Sequence, residues 1–126
     1  MGALSNYMEN KVLDATLRNV ALQVAAVWCK LHITGSPGED CTDNPAANTT
    51  RKQVTFGSPA ASGTISNTAA ITWTSVPNTE TYYAVSLWDA ETAGNPIYYG
   101  DLTAAKAVNA GDTFEIPIGD LDVSID

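Results

Sequence analysis

At 126 residues and 13.3 kDa the chain has the length of one domain, long enough to bury about two-thirds of its unfolded surface without metal or disulfide staples. Its 44% hydrophobic content excludes intrinsic disorder, and only 16% of its residues are charged. Six basic against 14 acidic residues leave a net charge of −8, which repels phosphate backbones and anionic membrane faces, so neither nucleic acid nor membrane is expected as a partner.

The N-terminus carries no readable address. Glu9 and Lys11 interrupt any apolar core of a signal peptide, and Met1-Gly2-Ala3-Leu4-Ser5-Asn6 fails as an acylation motif because Asn6 stands where Ser or Thr is needed. The spacing predicts a helix over 5–19. Ser5 or Asn6 caps it, Glu9 follows three residues after Asn6, and Met8, Val12, Leu13 and Leu17 recur at helical intervals. That apolar stripe is expected to pack on the domain's own sheet; docking on a neighbouring subunit is the second reading. The next apolar run, Val20 to Cys29, is broken by Gln23 and is far short of the ~20 residues that span a bilayer.

The period then changes from 3.6 to 2. From Val24 to Ile33 the residues alternate, with Val27, Cys29, Leu31 and Ile33 on one face and Lys30 and His32 on the other. Residues 34–50 show no apolar periodicity and are rich in turn formers, which suits either a mobile surface loop or an arm ordered against a neighbour. Further strands are expected over Gln53–Phe56, Thr68–Thr74, Tyr82–Trp88, Ile97–Leu102, Thr113–Ile118 and Leu121–Ile125, separated by turn signals such as Ala93-Gly94-Asn95-Pro96 and Asn109-Ala110-Gly111-Asp112. The fold expected is therefore mainly β: an N-terminal helix followed by an antiparallel, jelly-roll-like β-sandwich of about six to eight strands. One domain covers 1–126, with the helix at 5–19, the sandwich at 20–126 and a long mobile loop at 34–50. Its buried face should hold Val27, Leu31, Ile71, Val85, Leu87, Phe114, Ile116 and Val123.

Material for chemistry is sparse. His32, the single histidine, sits on the polar face of its strand with no nucleophile elbow anywhere, and reads as a surface side chain. Cys29 reads as a small buried hydrophobe and Cys41 as a loop residue, both reduced thiols. Glu39, Asp40, Asp43 and Asn44 share a loop without calcium-loop spacing, and Asp120, Asp122 and Asp126 alternate as the solvated face of a last strand. Asp89, Glu91 and Asp101 are the carboxylates a glycosidase would draw on, but nothing in the spacing pairs them. Trp28, Trp73 and Trp88 read as core residues before they read as a sugar platform, and Asn48-Thr49-Thr50 is a sequon without a secretory route. No catalytic residue, cofactor or metal is expected, and the chain does not read as an enzyme.

Several blocks, in order, carry a resemblance. They are Ser5-Asn6-Tyr7-Met8-Glu9-Asn10-Lys11-Val12-Leu13-Asp14, Gln53-Val54-Thr55-Phe56, Ser66-Asn67-Thr68-Ala69-Ala70-Ile71-Thr72-Trp73, Leu87-Trp88-Asp89-Ala90, Asn95 to Thr103 and Val108 to Phe114. Together they resemble small virion proteins of tailed bacteriophages, labelled tail-fibre or head-decoration proteins. The resemblance departs at residues 46–52, where the family has a glycine-rich loop. It implies a structural role in the virion, assembled in the host bacterial cytoplasm, with no catalytic residues to carry over.

Physical features then choose a place. A domain this size has a radius of gyration of only about 14 Å and no coiled-coil or repeat from which to build a shaft. Capsid decoration (cement) on the outer surface of the head is the expected role, with the major capsid protein as partner and a homotrimer as the assembly. The alternative is a tail-fibre or tail-tip receptor-binding protein, whose ligand would be host-surface glycan. The expected partner-binding residues are Met8, Val12, Leu13 and Leu17 of the helix, Glu39, Asp40 and Asp43 of the loop, and Arg51 and Lys52 after it.

Overall fold

A computed structural model describes residues 3–125; Met1 and Gly2 of the rejected acylation motif, and Asp126 of the alternating acids, lie outside the described residues. The chain opens with a two-residue strand, β1 (Ala3–Leu4), and the helix α1 (Asn6–Leu17). Ser5 is the N-cap: its backbone is extended and its hydroxyl accepts from the Met8 amide at 3.1 Å, satisfying one of the donors a helix start leaves free. The same residue ties the helix to the body, its amide donating to the Ile97 carbonyl at 2.8 Å and its hydroxyl to the Pro96 carbonyl at 2.6 Å. The helix ends where Asn19 turns into the left-handed region at φ 55°, two residues earlier than the apolar spacing suggested.

Five strands form one antiparallel sheet: β1, β2 (Val27–His32), β3 (Lys52–Val54), β6 (Glu80–Trp88) and β7 (Pro96–Val108), in the order β1-β7-β6-β2-β3. Two further pairs complete the β structure, β4 (Thr64–Ser66) with β9 (Asp122–Ser124) and β5 (Ile71–Trp73) with β8 (Phe114–Ile116). The fold is mainly β behind an N-terminal helix, as the alternation indicated. Strands β1 and β4 are additional; both are very short, and the Ser/Thr-rich surroundings of β4 give it no apolar alternation of its own. β7 runs six residues beyond the expected Leu102 because β6 continues to pair with it as far as Glu80↔Val108. That pairing contains an irregularity: residues 102–105 stand opposite Tyr83 alone.

Directly paired residues of an antiparallel sheet point to the same side, so the register defines two faces. Cys29 with Leu87 and Leu31 with Val85 face the two ribbons, and there they join Ile71, Trp73, Tyr82, Phe114, Ile116 and Val123 in the core. Phe114 stacks between Trp73 and Tyr82, with centroids 5.5 and 5.0 Å away. Of the residues expected inside, only Val27 is half-buried rather than buried. Asn67 joins the ribbons to each other: its fully buried amide donates to the Ala69 and Pro117 carbonyls and accepts from the Gly119 and Leu121 amides.

The opposite face of the sheet presents Lys30 with Ser86 and His32 with Ala84. Residues 34–50 pack over it, so both faces of the central strands are covered. Leu87 lies at the centre of the inner face at 1% exposure, and truncating it, Leu87→Ala, should cost about 2–5 kcal/mol. Urea unfolding of the two proteins measures this, and a loss near zero would contradict the face assignment.

Candidate functional site

The segment expected to be mobile is instead fastened along its length. Ile33 donates to the Asn44 carbonyl and Ala46 to the Leu31 carbonyl, at 2.9 and 3.1 Å. Within the loop, Asp43 donates to the Pro37 carbonyl and the Asn44 side chain to the Ser36 carbonyl. At its far end the Glu80 carboxylate receives two backbone amides, Ala47 at 2.9 Å and Asn48 at 3.0 Å. Pro37, Cys41, Ala46 and Asn48 are buried, so Cys41 is no exposed loop thiol and the Asn48 sequon is closed to modification. Burial pushes the Cys41 thiol up to about 12, and both cysteines are free.

His32 does not lie at the surface, where the polar face of its strand would place it. It is fully buried, because the loop supplies polar backbone exactly where the strand's polar face would otherwise meet water. Its Nδ1 lies 2.8 Å from the Asp43 carbonyl and therefore carries the proton; its Nε2, 2.7 Å from the Ser86 hydroxyl, accepts. Ser86 in turn accepts from the Trp88 indole N–H at 2.8 Å. Every hydrogen-bonding atom in this relay is used, and no path leads from it to a reactant. The solitary hydroxyl in the apolar run Ala84-Val85-Ser86-Leu87-Trp88 is the one sequence signal that would have exposed it. Glu80, which holds the loop's far end, left no such trace.

The partner residues expected from the sequence fall into different settings. Met8 is buried beneath the helix and Val12 is half-buried, whereas Leu13 and Leu17 point outward at 54% and 78% exposure. The expected single stripe is thus split between two sides of α1. Glu39 and Asp40 are exposed beside the helix start, where Asn6 donates its amide to the Glu39 carbonyl and its side chain to Asp40. Asp43 is exposed but contributes its backbone to the His32 relay. Arg51 is half-buried and engaged within the chain: its guanidinium lies 4.1 Å from the Trp88 ring and donates through Nη1 to the Ala90 and Ala93 carbonyls, clamping the β6–β7 turn. Lys52 is half-buried in β3 opposite Cys29.

The carboxylates considered for sugar chemistry are likewise occupied or scattered. Asp89 accepts from the Asn95 amide and side chain, closing the same turn, in which Gly94 at φ 74° leaves no room for a Cβ against Asp89. Asp122 accepts from Ser66 across the β4–β9 ribbon. Among the described residues no three His, Cys, Asp or Glu side chains form a cluster able to hold a metal ion, and no helix is long and apolar enough to cross a membrane. Trp73 and Trp88 are buried and do not form a platform.

The most apolar concavity is a groove of about 370 Å³. Met8 and Val12 of α1, Leu22 and Val24 of the segment that follows, and Phe56 and Ile125 line it, over a floor that includes Leu87. Neither an acid–base pair nor a nucleophile lies in it, so its chemistry is that of a surface for apolar side chains. Residues 3–124 match the family described as podophage GP4 fiber I protein gp80. The chain belongs to that family. It is a structural virion protein of a tailed phage, in agreement with the resemblance of the sequence blocks. No curated protein matches the chain.

The buried relay makes a pH-dependent prediction. Burial holds the His32 imidazole below its ordinary value, with the nearby Lys30 charge adding to the effect, so the folded chain keeps it neutral where the unfolded chain takes up a proton. The histidine contribution to stability is complete above the ordinary value of about 6.5 and falls as pH drops below it, by up to about 1.4 kcal/mol per pH unit. Urea midpoints at pH 7.5 and 5.5 should show a smaller acid loss for His32→Gln than for the wild type; equal losses would contradict a neutral buried imidazole.

Proposed function

We propose that this chain is a fibre-associated subunit displayed on the outside of the virion, a cap or junction rather than a shaft. The observation that carries the reading is the family match over residues 3–124 to a protein described as a fibre component. The architecture supports the restriction to a cap or junction. The one helix among the described residues has 12 residues, and the short sheet and two ribbons share one core, with no repeated unit among the described residues to extend along an axis. An external position also suits the net charge of −8, which disfavours contact with packaged DNA. In this reading the binding partner is another virion protein, and host-surface glycan is the candidate ligand at a fibre tip.

Capsid decoration, with the major capsid protein as partner, is the second reading. It is favoured by the same lack of a shaft and by the rigidly fastened loop, whose exposed Glu39 and Asp40 adjoin the helix start. Both readings are non-enzymatic. The sealed histidine relay and the engaged Asp89 support that, and purified protein should release no sugar from bacterial surface glycan.

Imaging separates the two positions. Antibody-gold labelling of intact virions should place the chain on fibre appendages. Label distributed over the capsid facets would overturn the fibre reading in favour of decoration, and absence of the chain from purified virions would overturn both.

A further inference from the structure

The sequence from Ala15 to Ala26 contains no carboxylate, in a chain that carries 14 of them. Within and just before that stretch, the structure leaves Leu13, Leu17, Val20, Leu22 and Val24 exposed by 54, 78, 42, 39 and 36%. The first two project from the outer side of α1. The last two lie on the extended segment after it, at the lip of the apolar groove. Residues 21–25 of that segment belong to no strand and make no backbone–backbone hydrogen bond to any described residue.

A monomer gains nothing from this arrangement. Side chains of these types and exposures add up to roughly 300 Å² of apolar surface per copy before the groove is counted, the size at which exposed apolar surface marks an interaction site. A stable interface needs about 800 Å² from each partner, with an apolar centre and a polar rim. The exposed side chains and the groove together approach that requirement. Charge selects the occupant. Two copies of a chain at −8 repel each other over most orientations, and this carboxylate-free stretch, whose one charged residue, Arg18, is paired with Asp14 at 3.1 Å, is where they approach with the least like-charge opposition.

We propose that this face, centred on Leu17 and Leu22 beside the groove, is where a second copy of the chain docks. The proposal is independent of whether the assembly sits on a fibre or on the head. In this arrangement the groove receives apolar side chains from the opposite copy.

Sedimentation equilibrium of the full chain from about 1 to 200 µM, a range that reports micromolar affinities, tests it. The wild type should show a mass above that of the monomer. Leu17→Asp places a charge at a largely exposed position that does not line the groove, so the fold survives while self-affinity falls about tenfold or more. Leu13→Asp is a second variant of the same kind. Ile118→Asp, at 66% exposure elsewhere on the surface, should leave the mass unchanged. A wild-type monomer across the range would overturn the proposal, as would an assembly that Leu17→Asp and Leu13→Asp leave intact or that Ile118→Asp disrupts equally. A monomer that takes up a fluorescent apolar dye at the groove would also overturn it, and would assign the face to a different occupant.

Discussion

A histidine with both ring nitrogens engaged holds the second face of the central sheet against a loop that has almost no apolar residues of its own. Hydrophobic burial fastens the first face, where Cys29, Leu31, Val85 and Leu87 meet the two ribbons. On the other face the covering segment is polar, and it stays in place through directional bonds: His32 to the Asp43 carbonyl, and Glu80 to the Ala47 and Asn48 amides. Each of these partners is worth little while satisfied and costs more if orphaned in a dry interior, so the loop is retained as a set. Ser86 links that set to Trp88, on whose ring Arg51 and Lys30 both lie. The loop, the sheet and the β6–β7 turn therefore form one mechanical unit.

This arrangement bears on what a structural virion protein needs. Strand register and loop position are over-determined, so the exterior is presented without large rearrangement. Several polar groups are consumed in fastening, while the carboxylates Glu91 and Asp101 stay exposed. His32 closes the loop, Asp89 closes a turn, and Asp122 bridges a ribbon. Around α1 two kinds of surface remain open to partners: acidic side chains at its start, and at its end a carboxylate-free apolar stretch whose Arg18 pairs with Asp14. The two ends of one short helix thus offer opposite chemistries, and the tie from Ser5 to Pro96 and Ile97 holds the first of them close to the sheet.

The sequence by itself determined the class of fold and most of the inner face. Period-2 alternation in Val27–Ile33, Val85–Leu87 and Phe114–Ile116 is a local property, and local periodicity reports which side of a strand is apolar. The helix start was legible for the same reason, since capping is completed within four residues, and the order of short sequence blocks was enough to indicate a phage virion protein. Tertiary structure alone decided what covers the other side. Whether His32 meets water or a carbonyl depends on residues 34–50 folding back over the sheet, and those residues carry no periodicity to announce it. The split of Met8 and Val12 from Leu13 and Leu17 is of the same origin. Helical spacing groups all four on a broad stripe, but a helix anchored by Ser5 at the sheet's edge has room to bury only one side of it. Burial at an edge is set by what lies opposite in space, and that is the information a linear pattern lacks.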